Sequence, residues 1–100
     1  MVQGQFYSNE WSTAFLLHDE ATQCSSTYQA RENERYTAVI SLREKGKKGE
    51  NKFEAKGMVI DNDAKPVYCI SKLFEGETAR AQAAIEARRL RTEISDKFFS

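Results

Sequence analysis

Histidine and proline occur once each in this chain, cysteine twice and glycine five times, in 100 residues. With His18 the lone imidazole, a Ser-His or Cys-His nucleophilic pair would have to be built around that one residue. Cys24 lies six positions away, on a different face of any helix, and no third group completes a set. Cys24 and Cys69 are 45 residues apart with no CxxC spacing, so at most one disulfide is conceivable. A zinc site within the chain would need carboxylate ligands as well. Cys69 falls inside the apolar run Val67-Tyr68-Cys69-Ile70 and is expected to be a buried, inert thiol, with Cys24 equally structural. Asp61-Asn62-Asp63 opens like a calcium loop, but Pro66 and Lys72 stand where such a loop needs its glycine and its distal glutamate. Gly46 and Gly49 flank Lys47-Lys48 and match neither the phosphate-loop nor the dinucleotide pattern. No catalytic residue, metal or cofactor is therefore assigned, and the protein is not expected to be an enzyme.

No apolar run approaches the roughly 20 residues needed to cross a bilayer. Met1-Val2-Gln3-Gly4-Gln5 has neither a basic stretch nor an apolar segment behind it. No secretion signal, no membrane association and a cytoplasmic location are the expectations. Fifteen Lys and Arg balance fifteen Asp and Glu, which excludes a polycation held to nucleic acid by bulk charge and an acidic mimic of DNA. The balance is uneven along the chain. Residues 1–34 hold Arg31 against Glu10, Asp19, Glu20, Glu32 and Glu34, a net of −4, and the remainder carries +4.

With 40% hydrophobic residues, no repeat and no low-complexity stretch, residues 1–100 are expected to form a single compact domain. Tyr36, Ala38, Ile40 and Leu42 alternate with Arg35, Thr37, Ser41 and Arg43 as a half-buried strand does. Phe53, Ala55, Gly57 and Val59 share one face of a second strand, with Lys52, Glu54 and Lys56 on the other. Asp61-Asn62-Asp63-Ala64-Lys65 has turn composition, and Pro66 opens a third strand running to Phe74. The short links make an antiparallel meander. From Ala79 to about Lys97 the chain predicts a helix whose stripe Ala79, Ala83, Ala87, Leu90, Ile94 and Phe98 lies on the sheet.

The segment 5–31 has two readings. Ala14, Leu17, Ala21, Cys24 and Tyr28 recur at spacings of three and four, which favours an N-terminal helix. Residues 22–27 are weak helix formers, and the rival is a hairpin of strands 13–17 and 22–28 around His18-Asp19-Glu20. The fold class is thus α+β: a three-stranded antiparallel meander with a long C-terminal helix on one face, preceded by a helix or an extra hairpin. The second sheet face is expected to carry Val39, Met58, Ile60, Tyr68, Ile70 and Phe74, an area too apolar to leave wet. Trp11, Phe15 and Leu16 would cover it, or a second subunit would make a homodimer.

Two basic surfaces are candidates for binding. Arg43, Lys45, Lys47, Lys48, Lys52 and Lys56 put six positive charges in fourteen residues around a hairpin tip, suited to a phosphate backbone or an acidic protein. The same composition also keeps strand edges from pairing. On the last helix, Arg80 and Arg91 lie on one flank of the stripe. Arg88 and Arg89 lie across the helix, with Ile85 as an apolar anchor between them.

The order helix, three strands, helix over residues 9–98 resembles the architecture of the double-stranded-RNA-binding domain. That resemblance implies RNA binding through the inter-strand loop and the start of the last helix. Where such domains carry a lysine cluster, this chain has Thr78, Ala79, Arg80, Ala81 and Gln82, with a single positive charge. The preferred expectation is a non-enzymatic protein-binding module that occupies a surface of a larger protein or ribonucleoprotein complex. It would act as an adaptor or inhibitor, in the style of small proteins of phages and mobile elements. The alternative is a nucleic-acid-binding domain using the basic hairpin loop and the helix arginines.

Overall fold

The computed structural model describes residues 10–100. Five strands form one antiparallel sheet in sequential order, followed by one helix. The strands are β1 (Ser12–Asp19), β2 (Cys24–Glu32), β3 (Tyr36–Lys45), β4 (Lys52–Asp61) and β5 (Pro66–Glu75), and the helix α1 spans Ala79–Phe98. The fold class is α+β, and the meander expected over residues 36–74 is present as β3, β4 and β5.

The favoured N-terminal helix is not present. Residues 12–32 form the hairpin β1–β2, paired from Ser12 opposite Ala30 to Asp19 opposite Cys24, with a register shift between Thr13 and Phe15. The three-and-four spacing misled because Ala21 falls in the connecting turn, while the Ser and Thr of residues 22–27 favour an extended backbone. The Asp19 carboxylate accepts the Ala21 N–H, and Gln23 takes φ +62° to close the turn. With two strands in place of a helix, the architectural resemblance to a double-stranded-RNA-binding domain is lost.

α1 crosses β4, flanked by β3 and β5, and its backbone does not reach β1 or β2. Ala38 and Ile40 of β3, Ala55 and Val59 of β4, and Ala83, Leu90 and Ile94 of α1 make the buried core. Burial of side chains the size of Leu90 and Ile94 stabilises by about 1.5–3 kcal/mol each. Gly57 is the point of closest approach, since a Cβ there would lie 3.0 Å from Ile94 Cδ1. Ala79, Ala83, Leu90 and Ile94 of the expected stripe are buried, with Ala87 and Phe98 half-buried against the core.

The assignment of the second sheet face needs correcting. Val59 pairs with Tyr68, Gly57 with Ile70 and Phe53 with Phe74. Paired residues share a face, so Tyr68, Ile70 and Phe74 pack under α1 with the core. The alternate residues Val67, Cys69 and Leu73 therefore point away from the helix. Cys69 is exposed, contrary to expectation, and Cys24 is the buried thiol. Trp11 covers no part of that face: its indole N–H donates to Ser95 Oγ at 2.9 Å, beside Phe99 on the helix side. Phe15 does lie on the far face, stacked on Tyr28 at 4.4 Å, while Leu16 pairs with Thr27 on the helix side and stays exposed.

Candidate functional site: an arginine-walled cleft

α1 covers only β3 to β5, so among the described residues the helix-side face of the hairpin is left open beside it. Thr27, Gln29 and Arg31 of β2 are opposite Leu42, Ile40 and Ala38 of β3, so all point to the helix side. The flank of α1 nearest β2 carries Arg80, Ala84, Ala87, Arg88 and Arg91. Between flank and strand runs a cleft of about 180 Å³ lined by Thr27, Gln29, Ile40, Leu42, Ala84, Ala87, Arg88 and Arg91. A second hollow of about 60 Å³ shares Thr27 and Leu42 with it and extends the cleft past Ser25 and Glu44 to Arg80.

The floor is apolar at Ile40 and Leu42 and polar at Thr27 and Gln29, and the helix wall is cationic. Arg91 donates to the Gln29 side-chain oxygen at 3.0 Å, which spans the cleft at one end. Among the described residues, Arg80, Arg88 and Arg91 make no ion pair with a carboxylate. Beyond Arg91, Arg31 donates to Ser95 Oγ at 2.9 Å and lies over the Phe99 ring at 4.8 Å. These contacts tie β2 to the end of α1 and fix the cleft's width there.

The expected set of helix residues is thus divided. Arg80, Arg88 and Arg91 are brought together on the cleft wall. Arg89 is on the opposite flank, held by Glu86 at 2.7 Å and Glu93 at 3.3 Å. Ile85 stands on the crest between the two flanks, 63% exposed.

The flank over β5 is an ion-pair network in which Glu86 is only 7% exposed. The bidentate Arg89 guanidinium holds the Glu86 carboxyl below the usual range. The Tyr68 hydroxyl donates to Glu93 and lowers its pKa, with Arg89 and Lys97 adding to the effect. Burial, followed by the hydrogen bond to Glu93 and its charge, pushes Tyr68 up to about 12. These shifts keep Glu86 and Glu93 ionised and Tyr68 protonated at pH 7, so the network clamps α1 to β5.

No protein-family model, curated protein or solved structure matches this chain. Its functional reading therefore rests on geometry.

The basic loop residues separate as well. Lys47 and Lys48 are exposed at the β3–β4 tip, where Lys48 N–H donates to Thr22 O and Cys24 Sγ to Gly46 O, docking this tip on the β1–β2 turn. Arg43 pairs with Glu54 at 3.5 Å and Lys52 approaches Glu75 at 3.9 Å, both on the face away from α1. Lys45 is opposite Lys52, and Lys56 lies on that same face beside Arg43. His18 is exposed, its Nδ1 3.1 Å from Ser25 Oγ. No group of three or more His, Cys, Asp or Glu side chains suited to a metal occurs among the described residues. The Asp61 carboxylate accepts the N–H groups of Asp63 and Lys65, as turn chemistry requires.

Thr27 and Gln29, which line the cleft, were missed by sequence reasoning. The signal was available in the hairpin reading, where Thr27, Gln29 and Arg31 make one face of β2 polar, as a strand beyond the helix's reach would be.

Proposed function

We infer that this protein is a non-catalytic binding module that engages a larger protein or protein-containing complex, with an extended acidic segment of that partner seated in the arginine-walled cleft. The observation that carries this reading is the row Arg80, Arg88 and Arg91 facing polar Thr27 and Gln29, with no carboxylate paired to any of the three among the described residues. Arg80 and Arg91 are eleven positions apart on the helix, about 16 Å of axial rise. That length matches about five residues of extended chain. Guanidinium groups suit bidentate capture of carboxylates. Ile85 on the crest supplies an apolar contact beyond the cleft rim. No helix among the described residues is long and apolar enough to cross a membrane.

The test is a fluorescence-anisotropy titration of a labelled peptide of alternating Glu and Ser, with the unaltered protein and with the double variant Arg88→Glu, Arg91→Glu. At least a tenfold loss of affinity is expected, with circular dichroism unchanged. Equal binding by the two proteins would remove the cleft from consideration.

A second reading, nucleic-acid binding, draws on Lys47 and Lys48. They lie exposed beyond the Lys45 end of β3, the end at which Arg80 enters the cleft. It requires affinity for duplex RNA or single-stranded DNA that falls linearly with salt on a log–log plot. Absence of binding to either at micromolar protein and low salt would leave the acidic-segment reading alone.

A further inference from the structure

Among the described residues, no helix or loop covers the sheet face turned away from α1. An apolar row crosses it, since Ala30 pairs with Val39, Val39 with Met58 and Met58 with Cys69. Phe15, Leu17, Val67 and Leu73 stand on the two edge strands of this face, each 45–53% exposed. At its centre Tyr28, Val39 and Met58 surround a depression of about 210 Å³, with Arg43 and Lys56 at the rim.

We propose that two copies of this chain pack through this face into a sheet-on-sheet dimer with both helices outside. Charge selects the second copy as the occupant. By register the face carries four cations, Arg43, Lys45, Lys52 and Lys56. It carries four anions as well: Asp19, Glu32, Glu54 and Glu75. A face with no net charge meets itself without net repulsion, whereas a strongly charged partner would find no net attraction there. Of the charges that a two-fold axis along β3 brings onto like charge, Arg43 on its own copy is already neutralised by Glu54 at 3.5 Å, Glu75 over Asp19 is approached by Lys52 at 3.9 Å, and Lys45 on its own copy is the last residue of β3.

Area points the same way. Five strands about 4.8 Å apart and about 30 Å long give about 700 Å² of projected face. A standard stable interface buries about 800 Å² per partner, close to that projected area. The register also supplies complementary contacts. Leu17, Ser26, Arg43, Glu54 and Leu73 form one row, and Tyr28, Ser41, Lys56 and Ser71 form the next. A two-fold axis along β3 lays β1 of one copy over β5 of the other. Leu17 then meets the second copy's Leu73, and Tyr28 meets its Lys56, aromatic ring against cation.

The experiment is light scattering with size exclusion on the full chain over a micromolar concentration series, beside the rate of thiol modification. The expected result is twice the mass of one chain, with Cys69 reacting more slowly as concentration rises while buried Cys24 stays inert. Leu73→Glu and, separately, Lys56→Glu should each weaken the dimer at least tenfold with circular dichroism unchanged. Arg88→Glu should leave the mass as it is, so this test is independent of the cleft. Three results would overturn the proposal: the mass of one chain at every concentration, a dimer indifferent to both substitutions, or a Cys69 rate that does not vary with concentration.

Discussion

Gly57 of β4 lies directly beneath Ile94 of α1, so closely that a Cβ at position 57 would sit 3.0 Å from Ile94 Cδ1 and 3.2 Å from Ile40 Cδ1. Both isoleucines are buried in the core and hemmed in by Leu90 and Val59, so neither side chain has room to move aside. Gly57→Ala should therefore destabilise by about 1–3 kcal/mol through overpacking, despite the better strand propensity of alanine. Urea denaturation read by circular dichroism checks this. Equal or greater stability in the variant would mean that the helix can rise off the sheet at no cost.

The clamp over β5 sets a pH window at each end. Glu86 and Glu93 are held below their ordinary value of 4.5, so their contribution is complete above that pH and is lost as pH falls through the lower folded values. Tyr68 is raised from 10.0 to about 12, so its contribution is complete below pH 10.0 and is lost as pH rises towards 12. Tyr68→Phe should remove the tyrosine-dependent part of the alkaline loss. It should also let Glu93 titrate closer to its ordinary value, so that less stability is lost on acidification and the loss is complete at a higher pH. Thermal midpoints of both proteins across the pH range decide it, and superimposable curves would contradict the assigned hydrogen bond.

Turn β4–β5 contains a local conflict between residue and backbone. Ala64 takes φ +61°, with its N–H donating to Asp61 O. A left-handed residue with a Cβ is disfavoured by about 1–2 kcal/mol, and glycine removes that strain while adding disorder to the unfolded chain. Ala64→Gly should raise stability by about 0.5–1 kcal/mol. A lowered thermal midpoint would show the turn to be unstrained.

The meander and the last helix were legible because each buries one face and leaves the other polar, so their periods are written plainly in residues 36–98. The hairpin was not, because the backbone of α1 does not pack over β1 and β2. Thr27 and Gln29 line an open cleft, and no buried stripe disciplines their pattern. The face of β5 was misassigned for a related reason. Val67, Tyr68, Cys69 and Ile70 are all apolar, so composition cannot say which alternate pair faces the helix, and only pairing with β4 decides it. The cleft was half visible: its arginines were singled out, but their division between flanks depended on Glu86 and Glu93 capturing Arg89.

Ser95 is where the hairpin is fastened to the helix. Its Oγ accepts from Trp11 Nε1 and from Arg31 Nη1, both at 2.9 Å, while Arg31 Nε is buried without a partner among the described residues. Ser95→Ala would strip the acceptor from two donors at once, in a corner where Phe99 packs on both side chains. The expected cost is about 1–3 kcal/mol, the usual penalty for leaving a buried donor unsatisfied. Trp11 is the only tryptophan, so its fluorescence reports this corner alone. The variant should show red-shifted tryptophan emission and a lower thermal midpoint. If Arg31 fixes the width of the cleft, it should also bind an acidic peptide more weakly, although Ser95 does not line the cleft. An unchanged emission spectrum would mean that Trp11 is held by ring packing on Phe99, with the hydroxyl contributing nothing.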